Sequence, residues 1–488
     1  MSEITLNQLE NLENAYLKND KLNVLQNALF SNDLTKIASN QQAKAAQPFI
    51  FSIDLKTHGI TNQFQSGRCW IFSAMNVLRE ALIKELKIEG DFELSQNYIA
   101  FYDKLEKANW FMECVKKELA TDLDAEKMRF LLEGAVSDGG QWNMLVSLVE
   151  KYGVCPKDAY PESFQAGHTR KLNSLMNRRL RKFALEAKAA FDAGNQAAID
   201  KLQQETLKEV YQLLATNFGL PPKEFVFEYY DEDHKAHAKE LTPHELYKLT
   251  NLNLSDYVNV INGPTADKPF YQTFTVEHLG NVVDGQPVQL LNLPLDEFKE
   301  ATIKQMQAGE LVWFGCDCSQ DADREGGMWN DEYFQYEKAF DLDLALTKEE
   351  MLNVKESAMN HAMVLTGVNL VDGEPNRWKI ENSWGDKVGH KGYYVASDTW
   401  FDKYVYVVAI NKKYLSEKAL KALEGQPTLL KPWDPFGTLD GPLYTSDAAD
   451  DVDVLCFDER HCSPVSYTPT QLPSMCFVHT HVVRYCLC

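Results

Sequence analysis

The order of the elements that the sequence predicts indicates an α+β fold. Residues 1 to about 50 carry apolar side chains at helical spacing, and a stronger apolar face with i, i+3, i+4 and i+7 periodicity starts at Cys69. Short runs of β-branched and aromatic residues separated by turns occupy residues 361–410 instead. Because helices come first and strands later, and no internal repeat is visible, an alternating parallel-sheet protein is disfavoured.

Each element is predicted from its local pattern. The predicted helices lie within 1–50, from Cys69 to Leu86, and within 94–120, 124–134, 141–151 and the highly charged stretch 165–260. The predicted strands are 49–55, 311–314, 361–368, 377–382, 392–396 and 404–410. A Ser-Asp-Gly-Gly sequence at 137–140 interrupts the helices, since paired glycines favour a turn.

Composition narrows the class of protein. The chain has 488 residues and a formal net charge of −22, so as a whole it repels nucleic acid and anionic membranes. No apolar run reaches the roughly 18 residues that a membrane helix needs, and the polar start of the chain does not resemble a signal peptide. We therefore expect a cytoplasmic protein in which the ten cysteines are mostly reduced thiols.

The segment from Gln63 to Trp70 carries the strongest chemical signal. Cys69 begins a predicted helix, where the helix dipole lowers a thiol pKa and favours the nucleophilic thiolate. The side-chain amide of Gln63 and the backbone N–H of Cys69 could together donate to an oxyanion during acyl transfer. A buried structural cysteine is the ordinary explanation of an isolated Cys-Trp pair. Gln63 and the later segments around His361 and Asn382 favour a nucleophilic cysteine instead.

Two later segments complete a possible acyl-transfer site. His361 heads an apolar strand, where a neutral imidazole could take a thiol proton and return it to a leaving amine. Asn382 could orient the imidazole N–H, and Trp384 beside it could screen that bond from water. Seen alone, each segment would be a strand end or a polar turn.

Together these residues resemble the papain superfamily of cysteine peptidases, in which Gln, Cys, His and Asn occur in this order. The DGGQW sequence at 138–142 resembles the Gly-Gly segment that binds the substrate backbone in that superfamily. A narrower resemblance, covering residues 1–440, is to the bleomycin hydrolase/aminopeptidase C family. It is carried by TNQ at 61–63, SGRCW at 66–70, ELSQNY at 93–98, WFGCD at 313–317, NHAM at 360–363 and KPWDPFG at 431–437.

The resemblance implies a papain-like two-lobed peptidase domain over 1–440, with a helical lobe, a β-rich lobe and a large helical insertion at about 165–290. It implies an aminopeptidase that releases N-terminal residues from peptides and needs no metal or organic cofactor. It also implies a homohexamer with the C-terminal residues lying in each cleft. The implied roles are nucleophile for Cys69, general base and acid for His361, orienting residue for Asn382, oxyanion donor for Gln63, substrate binding for Gly139 and Gly140, and shielding of the His–Asn pair for Trp384.

Two other functions remain open on the sequence. An endopeptidase of the same fold would differ only in how the cleft is closed. A nucleic-acid-binding assembly could use the basic stretch 168–188, although a solvated helix face explains it as well and interleaved aromatic residues are nearly absent there. The H-x-x-H pair His234 and His237 could suggest a metal site, but no third ligand is fixed by spacing.

Residues 441–488 have a different character. They contain half of all the cysteines, no lysine and no sustained helical or strand period. The run from Leu443 to Asp451 resembles an in-frame translation of a sequencing-library adaptor. We therefore expect an anomalous tail, disordered or artefactual, and a natural chain that ends near Leu439.

Overall fold

The computed structural model of the chain describes residues 2–440, so the predicted tail at 441–488 lies outside the described residues. The first half of the chain is helical, as the apolar periodicity predicts. Its helices are α1 (Leu6–Leu17), α2 (Asp20–Leu29), α3 (Leu34–Ala38), α4 (Gln41–Ala45), α5 (Cys69–Leu86), α6 (Gln96–Glu118), α7 (Glu126–Glu133), α8 (Trp142–Tyr152), α9 (Phe164–Gly167), α10 (Arg170–Asp192) and α11 (Gln196–Phe218).

The second half carries most of the strands, which confirms the α+β prediction. The strands are β1 (Ile53–Asp54), β2 (Phe225–Tyr230), β3 (Ala236–Leu241), β4 (Tyr257–Ile261), β5 (Gln272–Val276), β6 (Leu290–Asn292), β7 (Val312–Cys316), β8 (Ala322–Asp323), β9 (Met328–Trp329), β10 (His361–Val371), β11 (Glu374–Glu381), β12 (Tyr393–Ser397), β13 (Val405–Asn411) and β14 (Thr428–Leu430). The later helices are α12 (Pro243–Lys248), α13 (Leu295–Gln307), α14 (Tyr336–Phe340), α15 (Lys348–Val354), α16 (Asp398–Tyr404) and α17 (Glu417–Ala422).

One large mixed sheet forms the centre of the fold, in the order β14-β5-β6-β4-β13-β7-β10-β11-β12-β9-β8, with β1 paired to β10. Strand alternation sends side chains to two apolar layers. Trp313 and Val407 face a layer that includes residues of α5, α6 and α8, whereas Val312, Phe314 and Val408 face a layer with α13 and α16. The sheet is therefore covered by helices on both faces, and its middle strands are buried.

The helical prediction for 165–260, and the helical insertion predicted at about 165–290, are correct to the end of α11 and, beyond it, for the short helix α12. Beyond α11, β2 and β3 form an antiparallel hairpin, and β4, β5 and β6 join the large sheet. The sequence Phe-Val-Phe-Glu-Tyr-Tyr of β2 consists largely of aromatic and β-branched residues, which suit a pleated strand. The charged residues after it, from Asp231 to Lys235, form the hairpin turn rather than a helix.

Among residues 2–440, no helix is both long and apolar enough to cross a membrane.

Candidate active site

The sheet brings the predicted His and Asn to one edge beside the first turn of α5. β10 begins at His361, β11 ends at Glu381, and the two strands are antiparallel with Val364 opposite Glu381, so the start of one lies at the end of the other. Helix α5 packs against β10, and the indole N–H of Trp313 donates to the carbonyl of Trp70 at 3.2 Å. The residue after His361, Ala362, donates its backbone N–H to Cys69 Sγ at 3.4 Å.

The contacts of His361 define which ring nitrogen carries the proton. Nε2 lies 2.8 Å from Asn382 Oδ1, and this oxygen also accepts the backbone N–H of Ser383 at 2.8 Å. Because an amide oxygen only accepts, Nε2 carries the proton and donates, which leaves Nδ1 of a neutral ring free to accept one. The indole of Trp384 stacks on the imidazole with centroids 4.9 Å apart and screens the His–Asn bond.

Burial sets the protonation of the Cys69 thiol and the His361 imidazole. Cys69 and His361 are only 4% and 1% exposed. Burial lowers the pKa of His361 to about 4, although the bond to Asn382 acts in the opposite direction. The sequence predicted a lowered thiol pKa at the helix start, and this is wrong: burial raises the pKa of Cys69 to about 11, outweighing the backbone N–H groups that lower it. Thiol and imidazole are therefore both neutral at physiological pH.

Gln63 is held by a set of short bonds across the cleft. Its Nε2 donates to the carbonyl of Ser66 at 2.6 Å, which uses one of the two amide N–H bonds, and its Oε1 accepts from Ser383 Oγ at 2.7 Å. Its backbone N–H donates to the carbonyl of Ser383 at 2.9 Å. The loop before α5 is thus tied to the loop that carries Asn382, and one amide N–H of Gln63 remains for a ligand.

A buried carboxylate supports the turn into α5. Asp138 accepts the backbone N–H of Gly67 at 3.0 Å and the side-chain amide of Asn173 at 2.8 Å, and it also accepts from Lys104 and Thr169. Burial alone would raise the pKa of Asp138, but the ammonium of Lys104 and the hydrogen bonds hold it well below its usual range. Asp138 therefore stays ionised and fixes the backbone immediately before Cys69.

The Gly139–Gly140 segment lies against the same helix start. The indole N–H of Trp70 donates to the carbonyl of Asp138 at 2.6 Å, and a Cβ on Gly140 would lie 2.7 Å from the Trp70 ring, so only glycine fits there. The Gly140 N–H donates to the carbonyl of Leu439 at 3.1 Å. The group predicted to bind a substrate backbone is therefore occupied by a peptide carbonyl of the same chain.

Several contacts fix the chain on its way to Leu439. A 3₁₀ helix spans Pro435–Asp440. The carbonyl of Phe436 accepts from Gln141 Nε2 at 3.2 Å, and Thr438 Oγ1 donates to the carbonyl of Met359 at 2.8 Å. Phe436 and Leu439 are each 1% exposed. The described end of the chain is thus packed as tightly as core, beside Gly140.

The structure adds residues that sequence reasoning missed. Ser383 and Asp138 stand inside the recognised motifs, but their roles depend on contacts with Gln63 and Gly67 that no spacing reveals. The guanidinium of Arg324 lies over the Trp384 ring, 5.4 Å from its centroid. Nothing in the sequence around Arg324 pointed to the site, because it comes from a separate hairpin.

The histidine pair His234 and His237 has a structural role rather than a metal-binding one. His234 pairs with Glu89 at 2.7 Å and His237 with Asp231 at 2.6 Å, so the two imidazoles do not converge on one ion. In the described part of the chain, one group with metal-ligand spacing is found, Glu118, Glu277 and His278. Its members are already engaged, because His278 bonds Glu118 at 3.0 Å and Glu277 pairs with a lysine.

The basic helix α10 is partly neutralised within the chain. Arg179 forms an ion pair with Glu209, and Arg181 donates to the carbonyls of Leu132 and Glu133. These contacts give two of its arginines structural partners and do not favour a nucleic-acid site.

Comparison with known proteins agrees with this geometry. Residues 3–437 match the model of the Peptidase C1-like family. Aminopeptidase C of Listeria monocytogenes serovar 1/2a is 44% identical over 440 residues, which cover 90% of this chain and 99% of that protein. Aminopeptidase C of Lactobacillus delbrueckii subsp. lactis is 46% identical over 443 residues, covering 90% and 98%. The crystal structure of PepW from Lactobacillus rhamnosis HN001 superposes with a TM-score of 0.88 at 46% identity, covering 89% of this chain and 99% of that one.

Proposed function

Because this chain belongs to the Peptidase C1-like family, we propose that it is a cysteine aminopeptidase with Cys69 as nucleophile, His361 as base and acid, and Asn382 as the orienting residue. The family resemblance inferred from the sequence is confirmed, and the fold is papain-like. The residue roles rest on the contacts described above.

In the proposed reaction, His361 Nδ1 takes the thiol proton and Cys69 Sγ attacks the carbonyl carbon of the first peptide bond. The developing oxyanion accepts from the Cys69 backbone N–H and the remaining N–H of Gln63. The imidazolium then returns its proton to the leaving nitrogen, so the C–N bond breaks and a thioester remains. Water, deprotonated by His361, hydrolyses the thioester and restores the thiol.

The bond between Gly140 N–H and the Leu439 carbonyl supports the N-terminal preference. In an endopeptidase, the residues of the substrate that precede the cleaved bond would need this N–H and the space beside it. Here Leu439 fills that space and is 1% exposed. A substrate can place only its first residue between Leu439 and Cys69, and this favours removal of single N-terminal residues over internal cleavage.

The proposal is tested by hydrolysis of an aminoacyl reporter amide beside its N-acetylated twin. The free-amine substrate is expected to be hydrolysed at least about thirtyfold faster in kcat/KM, because an acetyl group must occupy the space of Leu439. A longer peptide blocked at its N-terminus serves as the internal-cleavage control. Cleavage of both blocked substrates at the rate of the free amine would instead identify an endopeptidase.

We also propose that the chain forms a homo-oligomer, with a hexamer as the family resemblance implies. Helices α1 and α2 have no buried residue, yet they expose apolar side chains over their length, including Leu9, Leu12 and Leu17. An exposed apolar surface of this kind is typical of an association site.

A cytoplasmic location is consistent with the five buried thiols of the described chain, none of which is in a disulfide.

The oligomer is tested by light scattering of the wild type and a Leu9→Gln, Leu12→Gln double variant. Glutamine keeps the helix propensity and removes the apolar surface, so the variant is expected to fall from six subunits to a smaller species. Leu185→Gln on α10 is a matched control, since Leu185 is 59% exposed and Leu12 is 63% exposed. A monomeric wild type, or an unchanged mass in the double variant, would contradict this assignment.

A further inference from the structure

Arg324 is placed beside the catalytic centre by a tight hairpin. Strands β8 and β9 pair antiparallel, with Asp323 opposite Met328, and the turn between them begins at Arg324. Asp323 fixes this turn, because it accepts the backbone N–H of Gly326 at 2.9 Å and pairs with Lys44 at 2.6 Å. The position of Arg324 is therefore set by rigid neighbours rather than by a long loop.

The side chain of Arg324 lies over the indole of Trp384, which in turn covers the imidazole of His361. Its guanidinium lies 5.4 Å from the centroid of Trp384, and Trp384 lies 4.9 Å from the centroid of His361. The positive charge is close enough to contribute to the lowered pKa of His361, after burial as the main cause and against the bond to Asn382. The N–H groups of a guanidinium lie in its plane, where they can donate to a carboxylate.

Arg324 also has no partner for those donors within residues 2–440, where it forms neither a hydrogen bond nor an ion pair. The nearest acid along the chain before it, Asp323, is committed to Lys44. Arg324 is partly buried, so its charge is less well hydrated than that of a surface arginine. An unpaired cation of this kind is favourably placed to receive an anion from the substrate.

The two sides of the cleft define which part of the substrate that anion belongs to. Gly140 and Leu439 occupy the side that holds the acyl part of the substrate. In the proposed reaction His361 protonates the leaving nitrogen; Trp384 contacts His361 and Arg324 contacts Trp384, so we assign both to the leaving-group side. A carboxylate at Arg324 must therefore be carried by the leaving group.

We propose that Arg324 is a specificity-determining residue that binds a carboxylate on the leaving group, above all the C-terminal carboxylate of a dipeptide. This inference rests on the proposed aminopeptidase function and adds a preferred substrate class to it. Dipeptides and peptides with an acidic second residue share the required chemistry. They differ in whether the main chain or a side chain supplies the carboxylate.

The test compares kcat/KM for a dipeptide with a free C-terminus and for the same dipeptide as its C-terminal amide. In the wild type the free acid is expected to be preferred, and Arg324→Gln is expected to lower the acid-to-amide ratio about tenfold, which is typical of losing one charge-assisted hydrogen-bonded pair. Arg324→Lys is expected to restore part of the ratio, since it keeps the charge without the planar fork. Arg178→Gln, an exposed arginine on α10, is the matched control and is expected to keep the wild-type ratio.

A second pair of amidated substrates, with Glu or Gln as the second residue, distinguishes a side-chain carboxylate from a main-chain one. If Arg324→Gln folds poorly, the wild-type enzyme can be measured at increasing salt concentration instead. Its acid-to-amide ratio of kcat/KM is expected to fall, because salt screens the attraction between Arg324 and the substrate carboxylate. A ratio that is unchanged by both Arg324→Gln and salt overturns the role of Arg324. Failure to hydrolyse either dipeptide or the aminoacyl reporter would instead overturn the proposed function.

Discussion

A Cys69→Ala variant is expected to lose peptide hydrolysis by at least about a thousandfold in kcat, because no other group at the site can form the acyl-enzyme. Its fold is expected to persist. Sγ interacts with backbone N–H groups, including that of Ala362 at 3.4 Å, and alanine fills most of the same buried space. The measurement is single-turnover and steady-state hydrolysis of the aminoacyl reporter, with Tm recorded on the same samples.

Cys155→Ala is the matched control for this variant. Cys155 is also a buried thiol, and its Sγ donates only to the neighbouring carbonyl of Pro156 at 3.4 Å. Burial raises its pKa to about 12, and it does not belong to the proposed catalytic residues. The control is expected to keep wild-type turnover and sensitivity to alkylation. Turnover that survives in Cys69→Ala would remove Cys69 from the reaction.

The proposed catalytic residues could be named from the sequence because each one belongs to a local sequence with a chemical reason. Cys69 stands at a helix start, His361 at a strand start and Asn382 at a strand end, and periodicity reveals all three boundaries. Their order along the chain then indicated the papain superfamily of cysteine peptidases. β10 and β11 form a hairpin joined by Asp372 and Gly373, so the approach of His361 to Asn382 is local. The non-local step is the packing of α5 against β10, which brings Cys69 to the same place, and it was supplied by the resemblance rather than by any pattern.

The errors have a common physical cause. Charge density in 165–260 favoured helices, although β2 pairs locally with β3, and the burial of β4 is decided by β13, a partner far along the chain. The thiol pKa was misjudged in the same way. A helix start lowers it locally, whereas the burial that raises it to about 11 is produced by elements that assemble around Cys69 only in the folded chain.

Arg324 illustrates the limit of the motifs themselves. It lies outside every recognised sequence, and its contact with Trp384 joins two hairpins of the sheet that are separated by 60 positions in the chain, 324 to 384. Such a residue can adjust substrate choice without changing the order of catalytic residues. A family motif therefore predicts the reaction better than it predicts which peptides are used.

Ending the chain after Leu439 is expected to raise the preference for a free N-terminus about a hundredfold over the full-length chain, the scale of one buried charge pair. In the structure the Leu439 carbonyl accepts the Gly140 N–H, and in the shortened chain the same group becomes a carboxylate. That carboxylate would face the ammonium of the substrate's first residue, which a peptide bond to residue 440 cannot do. We propose, accordingly, that residues from 441 onward are not needed for the fold, and Tm is expected to be unchanged.

A chain that ends after Gly437 distinguishes the effect of the terminal carboxylate from the effect of the Leu439 side chain. It lacks Thr438, which bonds the carbonyl of Met359, and Leu439, which fills the space beside Gly140. This shorter form is expected to accept the N-acetylated reporter and to cleave blocked peptides, because the acyl side of the cleft is then open. The 439 form must therefore exceed both the 437 form and the full-length chain in the ratio of free-amine to N-acetyl kcat/KM. Equal ratios in the 437 and 439 forms would show that Leu439 does not select the substrate N-terminus, and a higher ratio in the full-length chain would assign the tail a part in the site.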